Sequence, residues 1–451
     1  MMNLIVEISK YLMIFFFALY TYACFAVFRH KAGTKKQNRI FRRQIFLMYL
    51  IHLNAFLVIY AVTDDVKMVG FYFMQVFLIS VILVFYQFCY KNISRLVLNN
   101  MCMLLLIGFI MLSRLSFDKA IKQYMIAAGS AVITCIIPYL IRRIKTFRKL
   151  TWVYAALGVL GLLTVTLFGT TSYGAKISIV IGNVSIQPSE FIKIIFVFFV
   201  AGMFYQAKDF KQVCITTAVA AVHVLILAIS RDLGGALIFF VTYLVMLYVA
   251  TRKLFYFAGG ILSGCIGAVV AYMLFSHVRV RVVAWQDPLR VIEKEGYQVS
   301  QSLFAIGTGG WFGMGLYQGM PNKIPVVEED FIFSAISEEM GGVFALCLLM
   351  VCVSCFLMFL NVAMQMKDWF YKLVALGLGT FYGFQVFLTV GGSTKFIPST
   401  GVTLPLVSYG GSSLLATMAV FAIIQGLYIV RQDEGALHAK TNRQNAKKKK
   451  G

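Results

Sequence analysis

Apolar stretches of membrane-spanning length recur along the whole chain, near residues 4–28, 44–63, 69–90, 97–113, 121–141, 151–169, 190–206, 213–229, 233–250, 254–275, 331–361, 371–390 and 411–430. A helix crosses the hydrocarbon layer with about 20 apolar residues, so thirteen such stretches define a polytopic membrane protein. With 60% hydrophobic and 13% charged residues and a mean hydropathy of +0.82, a soluble globular class is excluded. A closed barrel would need repeated strand-length alternation, and none recurs along the chain. The expected fold is therefore all-α.

The net charge of +23 is carried in short clusters between the stretches: residues 29–43, 142–149, 251–253 and the lysine-rich tail. Alternating the sides of thirteen spans puts all four clusters on one face. The acidic Thr63–Asp65 turn and the long polar interval 276–330 fall on the other. The positive-inside rule then orients the N-terminus outside and the C-terminus in the cytoplasm, and the basic clusters are topology determinants that face anionic lipid rather than nucleic acid. Glu7 and Lys10 precede the apolar run of the first stretch, which is read as a retained anchor. The nine cysteines lie within apolar segments, without a CxxC pair or a neighbouring histidine set, and are expected as small buried hydrophobes. Residues 1–93 form a block of three helices without a readable motif, 94–430 a ten-helix core, and 431–451 a basic cytoplasmic tail. From Gly435 on, this tail is polar and aperiodic and is expected to be disordered.

The chemistry is concentrated in the outer loops. In residues 170–199, Gln187, Pro188 and Ser189 start a helix on which Glu190 and Lys193, at i and i+3, can pair. Arg231 and Asp232 stand at the mouth of an outer hairpin, either solvated or lining a cavity. The glycine run 307–319 contains GxGxxG but follows no expected strand and carries no GK[ST], so close backbone approach explains it better than a nucleotide. Asp330 is expected to cap a long helix, with Glu338 and Glu339 two turns inside it, where they either hydrogen-bond to other helices or line a substrate cavity. Residues 391–413 concentrate Gly, Ser, Thr and two prolines between apolar helices. Non-helical backbone at that depth must be buried in protein or line water.

In this order, QPSEFIK (187–193), RDLGGAL (231–237), GYQVSQSLFAIGTGG (296–310), IPVVEEDFIFSAISEE (324–339) and TGVTLPLVSYGGSS (400–413) resemble the SEDS family, the FtsW/RodA/SpoVE proteins of shape, elongation, division and sporulation. The resemblance covers about residues 94–430 and leaves the three leading helices outside the usual ten-helix core. It implies a peptidoglycan glycosyltransferase that polymerises lipid II at the outer face of the cytoplasmic membrane. It also implies a class B penicillin-binding transpeptidase among division or elongation partners, a divalent cation such as Mg or Mn at the leaving pyrophosphate, and no organic cofactor. Other readings of the same resemblance are a non-catalytic scaffold that binds lipid II and recruits a transpeptidase, and a lipid II flippase.

The family's base is an aspartate in the large outer loop. Counting without gaps from Pro288 to Gly296 places that position on Val291, and valine accepts no proton. A second register makes Asp287 the base and needs a four-residue insertion before Gly296. The expected catalytic set is accordingly Asp287, Glu293 and Glu295. The expected substrate-binding set is Glu190, Lys193, Arg231, Asp232, Arg279, Arg281, Gln298, Asp330, Glu338, Glu339, Lys395, Ser408 and Ser412, with the metal ligands unassigned. Ser178, where many members have tryptophan, and Glu328, where many have histidine, are milder departures.

Overall fold

The computed structural model describes residues 2–30, 33–144, 146–172, 175–181, 184–207 and 209–448. Lys31 and Lys145 of the basic clusters and the last three residues of the tail lie outside these. Thirteen helices among the described residues have the length and hydropathy to cross a membrane, and they correspond one for one to the apolar stretches.

Three helices lead: α1 (Met2–Ala26), α2 (Lys35–Thr63) and α3 (Val66–Cys89). The next span, α4 (Arg95–Leu115), is capped by Ser94, whose hydroxyl accepts the Val97 N–H at 3.4 Å. After it, α5 (Phe117–Cys135) and α6 (Ile137–Arg143) form one span interrupted at Pro138, where the ring removes a backbone donor. Then come α7 (Thr151–Phe168), α8 (Pro188–Gln206), α9 (Phe210–Ile229), α10 (Leu233–Thr251) and α11 (Leu254–Leu274). The long segment that follows carries α12 (Ser276–Gln286) and α13 (Tyr297–Gly309), and α14 (Ile332–Gln365), α15 (Trp369–Ser393) and α16 (Gly411–Lys448) close the bundle.

Between α7 and α8 the chain forms an antiparallel meander of β1 (Thr170–Ser172), β2 (Ala175–Ile181) and β3 (Val184–Ile186), which the sequence reading left as loop. The β-branched Ile177, Ile179, Val180 and Ile181 favour the central strand. A second difference lies in the tail: the α16 backbone stays helical through Lys448 instead of ending in disorder. Past Gly435 the tail has no proline and is rich in Lys and Ala, which propagate a helix already nucleated in the membrane. Among the cysteines, Cys89, Cys214 and Cys265 are exposed on the lipid-facing side of their helices instead of buried, an apolar environment either way.

The leading helices are packed into the core. α1 lies against α14, where the Phe17 and Phe344 rings are 4.4 Å apart, and α2 and α3 lie against α4. With α5, α14 and α16 on its other sides, the hydrophobic part of α4 is wholly buried. Polar side chains join the layers: Tyr20 Oη donates to Asn100 Oδ1 (3.0 Å), Asn100 Nδ2 to Ser354 Oγ (3.3 Å), and Asn99 Nδ2 to Gln44 Oε1 (3.0 Å). Hydrogen bonds of this kind, each worth about 0.6–2 kcal/mol, supplement close packing where water does not drive helices together.

The glycine run acts by close backbone approach. α14 is kinked at Gly341, whose φ of 89° belongs to the left-handed region. The kink frees backbone groups that the loop after α13 then satisfies. Met314 N–H donates to Glu338 O (2.9 Å) and Gly315 N–H to Glu339 O (2.8 Å), while Gly342 N–H donates to Gly310 O (2.8 Å) and Val343 N–H to Trp311 O (3.1 Å). A Cβ on Gly313 would lie 2.5 Å from Glu339 O, and one on Gly341 would run into the Gly313 amide. From the other side Lys10 of α1, paired with Glu7 at 2.8 Å, donates to Gly313 O at 3.3 Å. The first turns of α1 are therefore at the same end of the bundle as this loop.

Gly341→Ala is expected to destabilise the protein by about 1–3 kcal/mol through the left-handed φ alone, and by more through the collision with Gly313. Gly307→Ala, where an added Cβ meets nothing within 4 Å, is the control and is expected to be neutral or stabilising by up to about 1 kcal/mol. Melting midpoints in detergent distinguish the two, and equal midpoints would show that the kink is not constrained as described.

Candidate functional site

At the end of the bundle that carries α12 and α13, three segments converge on a polar cleft. α12 is fastened to the stretch after α15 by two donors: Arg281 Nη1 gives to Ser399 O (3.2 Å) and Trp285 Nε1 to Lys395 O (3.2 Å). The start of α10 supports the same stretch, because a Cβ on Gly234 would meet Thr400 O at 2.8 Å. Gly401, with φ of 72°, forms the floor. A Cβ built there would be 3.5 Å from Arg281 Nη2 and 3.6 Å from Asp330 Oδ2, so cation and carboxylate face each other across it.

Neighbouring charges extend the cleft. Asp232 caps α10 by accepting the Gly235 N–H at 2.8 Å. On α8, Pro188 takes the first turn, and Lys193 Nζ donates to Glu190 Oε1 at 2.6 Å, both side chains being buried. Glu190 Oε2 has no hydrogen-bond partner. Burial raises the Asp232 carboxyl, against the lowering effects of the Gly235 N–H, Lys193 and Arg281. Burial also pushes Asp330 up to about 6, with Arg281 drawing it back, and lowers Arg281, which Asp330 and Asp232 oppose. Next to Asp330, Glu329 is raised to about 7 by burial and by the adjacent carboxylates, with Lys119 opposing.

The model of the FtsW/RodA/SpoVE cell cycle proteins matches residues 94–432. The chain belongs to that family. RodA of Mycobacterium tuberculosis H37Rv, named a peptidoglycan glycosyltransferase, is 38% identical over 267 residues, which are 56% of this chain and 57% of RodA. The chain thus spans under three fifths of that relative's length. The probable peptidoglycan glycosyltransferase FtsW of Shewanella sediminis is 30% identical over 357 residues, 73% of this chain and 85% of its own. Among solved structures, a peptidoglycan synthase complex described for its coordination of polymerization and crosslinking superposes with a TM-score of 0.65 at 22% identity, over 76% of this chain and 99% of that one. Thermus thermophilus RodA gives 0.55 at 22% identity, over 74% and 96%. Both share the fold, and the three leading helices lie outside the family match.

Within this FtsW/RodA/SpoVE core the expected residues separate into groups. Glu190, Lys193, Asp232, Arg281 and Asp330 gather around the cleft. Asp330 is not the α14 N-cap: Phe331 holds that position without a side-chain bond, since the helix begins two residues after Asp330. Ser412 Oγ accepts the Gln187 N–H at 2.9 Å and ties α16 to the start of α8. Ser408 is buried, donating to Glu329 O and accepting the Leu404 N–H. Glu338 and Glu339 are turned into the glycine loop, where Glu338 Oε1 accepts the Met320 N–H (3.0 Å) and Glu339 Oε1 the Tyr317 N–H (3.2 Å). Their hydrogen bonds brace that loop. Lys395 contributes its carbonyl to Trp285, and Arg231, Arg279 and Gln298 are exposed to solvent.

The three carboxylates of the expected catalytic set are exposed. Asp287 ends α12 and accepts the Arg290 N–H at 3.3 Å, while among the described residues the Glu293 and Glu295 side chains take part in no hydrogen bond or ion pair. Val291 is half-buried, and its carbonyl accepts the Lys294 and Gly296 N–H groups. Among the described residues no group of three or more His, Cys, Asp or Glu can hold a metal ion.

Two cations escaped the sequence reading. Arg114 Nε donates to Glu339 Oε1 at 2.9 Å with its guanidinium 4.2 Å from the Tyr317 ring centre, and Lys119 pairs with Glu328 at 3.2 Å. The signal was present: alternation puts residues 114–120 on the outer face, where cations do not serve positive-inside topology.

A carboxyl raised by the folded state favours folding while it keeps its proton. That contribution is complete below the ordinary carboxyl value of about 4 and is lost as pH rises through about 6 for Asp330 and about 7 for Glu329. The melting midpoint is expected to fall from about pH 4 to about pH 8, and Asp330→Asn with Glu329→Gln to flatten the fall. An unchanged slope in the double variant would place the pH dependence elsewhere.

Proposed function

We propose that this chain is a peptidoglycan glycosyltransferase that extends glycan strands from lipid II at the outer face of the bacterial cytoplasmic membrane, in division, elongation or sporulation. The observation that carries the reading is the Arg281–Asp330 cleft at the outer end of an FtsW/RodA/SpoVE core. Lipid II is amphiphilic, and the surface beside the cleft suits it. An apolar cavity of about 490 Å³ lies between α10, α14 and α15, lined by Val353, Phe356, Phe384 and Phe387, and reaches Thr394 and Phe396 at the outer end. The polyprenyl tail fits the cavity and the pyrophosphate head the cleft.

In this reading Arg281, with Lys193 behind it, neutralises charge on the leaving pyrophosphate. Asp330 receives the proton of the acceptor sugar's 4-hydroxyl as that oxygen attacks the anomeric carbon and the bond to pyrophosphate breaks. A general base is most effective with a pKa near the working pH, and Asp330 is closer to that condition than an ordinary carboxylate. A divalent cation, if used, is held by the substrate phosphates with one or two carboxylates, Asp232 and Asp330 being nearest to hand. A class B penicillin-binding transpeptidase is the proposed partner. The positive-inside charge bias, with α1 starting beside the glycine loop, supports an N-terminus outside and a C-terminus in the cytoplasm.

A second reading is a non-catalytic scaffold that binds lipid II and recruits a transpeptidase. Val291, together with the exposed and unengaged Glu293 and Glu295, favours it. The test incubates purified protein, alone and with its transpeptidase, with lipid II and a divalent metal, and resolves the products on a gel. A glycan ladder that Asp330→Asn reduces by about 10²–10⁴-fold and Asp287→Ala leaves within about threefold is expected. The reverse pattern would put the base on α12, and no ladder under any of these conditions would favour the scaffold.

A further inference from the structure

The opposite end of the bundle carries a cavity that the family match does not account for. It has a volume of about 460 Å³ and opens between the leading helices and the core. Its cationic wall is Lys91, Arg95 and Arg431, with His30 beside them, and neither Asp nor Glu contributes to the lining. Two of the cations are fixed by neutral amides. Arg95 Nη1 donates to Asn38 Oδ1 (3.3 Å), and Arg431 Nη1 to Gln365 Oε1 (2.7 Å), with its guanidinium 4.4 Å from the Tyr428 ring centre. Lys91 has no hydrogen bond or ion pair among the described residues. Asp433, which lines the adjoining cleft with Lys91, is already held by Arg142 at 2.7 Å.

Cations that serve only as topology determinants spread over open surface and are solvated one by one. Here three converge on a concavity, two of them oriented by side chains that cancel none of their charge. The start of α4 at Arg95 adds the positive end of a helix dipole. The remaining wall is apolar, with Val27, Phe28 and Ile93, and Val27 and Phe28 are among the last residues of the first membrane span. A ligand matched to these walls has an anionic phosphate next to hydrocarbon.

We propose that this cavity holds the phosphate headgroup of one anionic phospholipid from the surrounding leaflet, bridging α1 and α2 to α4 and α16. The location at the end of a span favours a lipid over a free phosphate, and the net charge of +23 favours an anion of either origin.

The full-length protein, stripped of lipid in a zwitterionic detergent, is titrated with phosphatidylglycerol and, separately, with phosphatidylcholine or inorganic phosphate, and bound lipid is counted by native mass spectrometry. One saturable phosphatidylglycerol per chain is expected. Lys91→Gln with Arg95→Gln and Arg431→Gln is expected to weaken it about a hundredfold, at about one charge-equivalent of membrane attraction per cation. Lys149→Gln with Lys211→Gln and Lys253→Gln removes the same charge beside α7, α9 and α11 and is expected to cost less than about threefold. Equal losses in the two triple variants would overturn the proposal in favour of diffuse attraction, as would equal binding of phosphatidylcholine or no saturable binding. Displacement of the lipid by inorganic phosphate at millimolar concentration would assign the site to a soluble anion. Should the first triple variant aggregate on size exclusion, Arg431→Gln alone carries the test, with about a fivefold loss expected.

Discussion

The break in α14 at Gly341 is the constraint on which the outer half of the molecule depends. A helix interrupted within a membrane exposes amides and carbonyls that hydrocarbon cannot satisfy. Here the backbone of residues 310–315 satisfies them in four hydrogen bonds, and the glycines at 313 and 341 permit the approach. The lock holds the segment after α13 against α14, and Glu338, Glu339 and Arg114 brace it. α12 is placed differently, by donors to the stretch after α15. The cleft is thus assembled from segments each held by backbone bonds to a different helix.

That mode of assembly explains the electrostatics. Loop backbone that already donates and accepts within the protein leaves few groups to solvate the cleft carboxylates. Asp330 and Glu329 therefore sit above the ordinary range although Arg281 and Lys119 are near. Desolvation exceeds attraction at both positions. The buried Glu190–Lys193 pair is the contrasting case, in which a close partner on the same helix face accompanies burial.

Much of this was legible in the sequence because hydrocarbon imposes a simple code. Span number and membership of the FtsW/RodA/SpoVE family follow from apolar length and from five ordered motifs, and Pro188, Glu190 and Lys193 are placed by helix-start chemistry and i, i+3 spacing. What was not legible depended on contacts between remote segments. Nothing local marks Glu338 and Glu339 as braces for a loop some twenty residues upstream, or Asp330 as the partner of Arg281 across Gly401. The meander at 170–186 was missed because its strands are short, and the extension of α16 because composition alone cannot see a helix continuing out of the membrane. Positions 114 and 119 were legible, since alternation puts their cations on the face opposite the basic clusters.

The burial of α4 bears on how the chain is made. α4 meets protein on all sides, and synthesis from the N-terminus delivers α1, α2 and α3 ahead of it and α5, α14 and α16 after it. When Asn99 and Asn100 arrive, Gln44 and Tyr20 are already in the membrane to receive them. The leading helices thereby offer part of the packing surface of α4, with its hydrogen-bond partners, before the remaining family core is made.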